Sequence, residues 1–94
     1  MRSGLTGITL ALLLAACATT PPVQEMAAAR SAIQTAKNMP ESNLPADLAL
    51  KSAEQMLEGA AEAIRHEKYE QARQMALSAK RKAQSSVQYK QKKH

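Results

Sequence analysis

The chain has 94 residues, a formal net charge of +5, one cysteine, two tyrosines, and neither tryptophan nor phenylalanine. A single cysteine excludes an internal disulfide framework, and so few aromatics exclude the stacking platforms that bind single-stranded nucleic acid. A chain this short has room for one small domain, which buries only about 60% of its unfolded surface.

Met1, Arg2 and Ser3 precede a mostly apolar run from Leu5 to Leu14, broken only by Thr6, Gly7 and Thr9. A charged start, an apolar middle and a small-residue site together make an export signal. The run is about half of the roughly 20 residues that span a bilayer, so left uncleaved it would anchor poorly. It closes on Leu14-Ala15-Ala16-Cys17, which resembles the lipobox of bacterial lipoproteins. That resemblance implies cleavage between Ala16 and Cys17, a diacylglyceryl group on the Cys17 sulfur, and acylation of the new amine. Several acyl chains attach a protein stably where one binds only reversibly. Ala18, not aspartate, follows the cysteine, and the resemblance then implies the outer membrane, periplasmic face. Residues 1–16 are expected to be a cleaved signal peptide. Residues 17–22 follow as a lipidated N-terminus and tether, extended by the Pro21-Pro22 pair. No cofactor is expected beyond the covalent lipid on Cys17.

Residues 23–83 read as an alanine-rich, all-α module: a short first helix followed by an antiparallel helical hairpin. Pro22 can open the first helix, and Met26, Ala29, Ile33 and Ala36 mark its face at steps of three and four. The spacing predicts a helix over 23–37. Asn38 is placed as a left-handed cap, and Pro40, Ser42 and Asn43 make a loop. Pro45 opens the second helix, with Asp47 in its first turn. Its stripe runs Ala46, Ala49, Ala53, Met56 or Leu57, Ala60 and Ile64. Gly59 lies within that helix and would let a neighbour approach closely. Such thin helices bury little area, so stability is expected to be a few kcal/mol unless the protein self-associates.

At Arg65-His66-Glu67-Lys68 the stripe meets only charged residues, and a new one begins at Tyr69 and runs through Ala72, Ala76, Ala79 and Ala83. Ile64 and Tyr69 are five residues apart, about 140° out of phase on one helix. A turn that folds the third helix back on the second resolves the mismatch. The competing arrangement is one continuous bent helix, since no glycine or proline marks the break. Residues 84–94 lose the pattern and are expected to fray as a basic tail.

The run Ala29, Ile33, Ala36, then Pro45-Ala46-Asp47-Leu48, Ala53, Leu57 and Ala60, then Tyr69 to Ala83 resembles small proteobacterial lipoproteins carrying domain of unknown function 4398. The resemblance implies a short helical module at the outer membrane with no established activity. Family members commonly carry Gly-Asp ahead of the tyrosine, where this chain has Glu67-Lys68.

Catalysis needs a positioned nucleophile, base or metal. Glu62, His66 and Glu70 lack the second histidine of a zinc-protease motif and read as an ion-paired surface, and Met26, Met39, Met56 and Met75 read as core filling. No metal site, enzyme activity or small-molecule substrate is expected. No acidic residue follows Glu70, while Lys80, Arg81, Lys82, Lys90, Lys92 and Lys93 supply charge either for an anionic surface or for a solvated helix end that keeps the protein soluble. An export signal separates that surface from nucleic acid. The expected function is contact with an envelope protein or self-association in the periplasm, with the membrane held through the lipid. The alternative is a structural tether from membrane to peptidoglycan through the basic C-terminal segment.

Overall fold

The computed structural model describes residues 20–92; the expected signal peptide, the lipidated Cys17 and the last two residues of the basic tail lie outside them. Three helices follow in order: α1 (Val23–Asn38), α2 (Leu44–Arg65) and α3 (Tyr69–Gln91). The described residues contain no strand. α2 and α3 form the antiparallel hairpin that carries most of the packing, and α1 lies parallel to α3 and packs more closely on it than on α2. The continuous bent helix is therefore not adopted.

The seam follows a heptad-like rhythm. Met26, Ala29, Ile33 and Ala36 on α1, Ala46, Ala53 and Ala60 on α2, and Ala72, Ala76, Ala79 and Ala83 on α3 are all buried. Alternating steps of three and four keep one narrow face inward over many turns. The two large side chains of α1 fill the gaps left by alanine on the hairpin. Met26 packs in one layer with Ala60 and Ala76, and Ile33 in the next with Ala53 and Ala83. Leu57 edges both layers, while Ile64 and Met75 close the first and Leu50 the second. Buried Ala63 takes the inward place expected of Ile64, which is half-buried. On a seam of methyl groups the larger side chain is pushed to the edge, where it has room.

Each helix end has an identifiable cause. Pro22 caps α1 from outside rather than opening it, and its carbonyl accepts from the Met26 N–H at 3.0 Å. Asn38 is not a left-handed cap. It remains helical, and the chain leaves α1 through Met39 in extended backbone. Asn43 caps α2, its side-chain oxygen accepting from the Ala46 N–H at 2.9 Å. Helix α2 consequently starts at Leu44, one residue before the proline. At the far end the Lys68 N–H donates to Ala63 O and the Glu67 N–H to Ile64 O, both at 2.9 Å. This nested pair is a Schellman closure, and it puts Glu67 at φ 59°, the only positive φ among the described non-glycine residues.

The expected fraying of residues 84–94 does not occur over the described part. Helix α3 runs on to Gln91 because Ser86 and Lys90 continue the inward rhythm and are buried. Gly59 faces the tip of Met75: a Cβ there would collide with the Met75 methyl group. The glycine thus makes room for one flexible side chain from α3, and the contact is with that side chain rather than with backbone.

A left-handed conformation costs an L-residue about 1–2 kcal/mol, part of which glycine offsets by its greater freedom when unfolded. Glu67→Gly should stabilise the module by about 1 kcal/mol and raise Tm by about 4–8 °C. Glu67→Ala should bring no such gain. Thermal unfolding followed by circular dichroism checks both.

Candidate functional site

Of the six basic residues expected to meet an anionic surface, Lys80, Arg81, Lys82 and Lys90 fall on α3, and Lys92 follows its last residue. Arg81, Lys82 and Lys92 are exposed and Lys80 is half-buried, while Lys93 lies outside the described residues, as do Ala16 and Cys17. Lys90 does not belong to that surface. It is only 5% exposed, and its ammonium donates to Ala36 O at 2.6 Å and to Met39 O at 3.3 Å. Both carbonyls stand at the C-terminus of α1, where the helix dipole favours a cation.

Lys90 is one of three ties at that end of the bundle. Ser86, fully buried, donates its hydroxyl to Ala46 O at 2.8 Å. Asn43 Nδ2 donates to Tyr89 O at 3.1 Å, while its oxygen caps α2. The last two turns of α3 are thereby joined to the end of α1 and the start of α2. Composition alone did not reveal this, because the residues concerned are polar. The signal was present in the spacing, since 83, 86 and 90 extend the steps of three and four that precede them.

At the opposite end, charged side chains pair locally. Glu62 accepts from Arg65 and lies 3.0 Å from His66 Nε2. Glu70 pairs with Arg73 and accepts from Gln74 Nε2 at 3.1 Å. Arg65, with His66 behind it, holds the Glu62 carboxyl below its ordinary value of 4.5, and Arg73 with Gln74 does the same for Glu70. The same pairing raises Arg73. His66 caps the turn and is bonded to Glu62, so Glu62, His66 and Glu70 do not converge. No group of three metal-ligating residues occurs among the described residues.

Between α1 and α2 the looser packing leaves an open groove of about 550 Å³. Met26, Ile33, Leu57 and Ala61 form its apolar floor, and Arg30, Lys51, Glu54 and Glu58 its charged margins. Lys37 of α1 meets Glu54 of α2 at 3.4 Å, an exposed pair that adds little stability. Arg30, Lys51 and Glu58 form no ion pair among the described residues. A smaller recess of about 410 Å³ lies between α1 and α3, lined by Ala32, Thr35, Gln84, Val87 and Gln88. Nothing in the groove has the form of a catalytic centre. An apolar floor with charged margins is the form that receives a helix.

The three helices and the ties that close them coincide with a family domain: the model for a domain of unknown function, number 4398, matches residues 24–93. The chain belongs to that family. The match takes in the whole of α3, including buried Ser86 and Lys90, so the family unit is the complete bundle. No curated protein and no solved structure matches the chain.

Removing the Lys90 ammonium takes the charged donor from Ala36 O, which keeps only the 3.4 Å bond from the Met39 N–H, and from Met39 O. Lys90→Met should cost about 1.5–3 kcal/mol, as expected for a hydrogen bond to a charged group, while Lys92→Gln should stay within about 0.5 kcal/mol. Urea unfolding of both variants tests this. For Glu62 and Glu70 the folded value lies below the unfolded one, so their stabilisation is present above 4.5 and lost as pH falls through the lowered values. A pH titration of Tm should therefore show an acid limb below 4.5, shallower in the Glu62→Gln/Glu70→Gln variant.

Proposed function

We propose that this protein is a non-catalytic outer-membrane lipoprotein, held by lipid on Cys17, whose helical bundle makes protein contacts in the periplasm. The observation that carries the contact role is the α1–α2 groove, an apolar floor bordered by Arg30, Lys51 and Glu58, which form no ion pair among the described residues. Leu44 and Leu48 on the same helix are 69% and 58% exposed and add apolar surface to α2. The anchor is carried by Leu14-Ala15-Ala16-Cys17. No described helix is long and apolar enough to cross a membrane, so in this reading attachment rests on the lipid.

A second reading, the tether to peptidoglycan, draws on exposed Arg81 and Lys82 at the middle of α3 and exposed Lys92 just past it, at the end of the bundle opposite the start of α1. An anchor at residue 17 would point that end away from the membrane. Lys90 contributes nothing to it, since its charge is spent on α1.

Labelled palmitate should enter the wild-type protein and not Cys17→Ser, and that variant should leave the membrane fraction. Unchanged fractionation of Cys17→Ser would overturn the lipid anchor.

A further inference from the structure

Along the margin of the groove, Leu48, Lys51, Gln55 and Glu58 of α2 follow at steps of three and four, and all four are exposed. They form one edge of the helix, with a cation toward its start and an anion toward its end. Glu54 is engaged by Lys37, which leaves Lys51 and Glu58 as the unpaired charges of this edge.

We propose that a second copy of this chain covers the groove, its α2 antiparallel to the first about a two-fold axis between Glu54 and Gln55. This rests on the contact-module part of the function proposed above and is independent of the lipid anchor. In a two-fold pair a residue just before the axis faces one equally far behind it in the other copy. Lys51 and Glu58 stand at matched distances from that axis, so each meets its opposite charge, twice per dimer. The same register sets exposed Leu48 over Ala61, a small residue on the groove floor, and brings Gln55 opposite Glu54. It also sets Asp47 opposite Glu62, two carboxylates that already accept from Ser42 and Arg65. Two independent pairings agree on one axis: the two unpaired charges, and the exposed leucine over the alanine that leaves room for it. A parallel pair would instead align Lys51 with Lys51 and Glu58 with Glu58, and like charges in an interface are strongly disfavoured. Antiparallel α2 helices also oppose their dipoles.

The test uses the full chain in mild detergent, followed by sedimentation velocity. Wild type should sediment as a dimer. Lys51→Glu and Glu58→Lys should each raise the dissociation constant at least about tenfold, since each reversal breaks both symmetric contacts. The combined Lys51→Glu/Glu58→Lys variant should restore the dimer. Circular dichroism should be the same for all four, because both side chains are exposed. In membranes, oxidation should trap a disulfide dimer of Gln55→Cys, beside the axis, and not of Gln71→Cys on α3. A protein that remains monomeric at the highest concentration reached, or a dimer indifferent to the single reversals, would overturn the proposal. A monomer whose groove cross-links to a different envelope protein would also overturn it while leaving the contact role standing.

Discussion

A seam built of methyl groups governs this molecule. Ala29, Ala36, Ala46, Ala53, Ala60, Ala72, Ala76, Ala79 and Ala83 are buried along the bundle. Each supplies little more than one carbon of apolar surface, worth on the order of 0.8 kcal/mol per buried CH₂. Alanine brings the strongest helix propensity and loses no side-chain entropy. Helices that meet through it hold their own shape well but gain little from one another. Larger residues sit where the third helix leaves space, as Met26 and Ile33 do, or at the edge, as Leu57 and Ile64 do.

That shortage explains the polar ties at one end. Ser86, Asn43 and Lys90 join three helix termini through backbone carbonyls, and those met by Asn43 and Lys90 lie at helix C-termini, where carbonyls lack intrahelical partners. No buried side-chain nitrogen or oxygen lacks a partner among the described residues. A hydrogen bond from a charged group contributes more than burial of another alanine would, and it fixes register, which a uniform alanine seam leaves loose. The other end is closed by backbone geometry, with the Schellman turn at His66–Lys68 and exposed ion pairs around it.

The same shortage links structure to function. Because α1 leans on α3, the side facing α2 stays open. A bundle with a larger core would have closed that gap with its own side chains. Here the floor of the groove is core material seen from outside, and Arg30, Lys51 and Glu58 on its margins form no ion pair among the described residues. A surface of that kind gains by meeting another helix, and that gain is what the proposed contact role and the antiparallel dimer share.

The sequence by itself determined the helical class and the family, because periodicity of alanine is a local signal; the phase break between Ile64 and Tyr69 favoured a hairpin, and the tertiary structure excluded the continuous bent helix. The expectation of an export signal and the resemblance to a lipobox are likewise read from residues 1–17, without reference to any fold. Where a feature depended on contacts distant in the chain, local reading failed. Lys90 reads as one of a basic run, yet its ammonium lies beneath the end of α1, residues 36 and 39. Asn38 reads as a cap, yet α1 leaves through an extended Met39. The left-handed place belongs to Glu67, where no glycine announced it. Only the tertiary structure decided which polar residues point inward, since a serine or lysine becomes a core residue only when another helix presents a carbonyl to it.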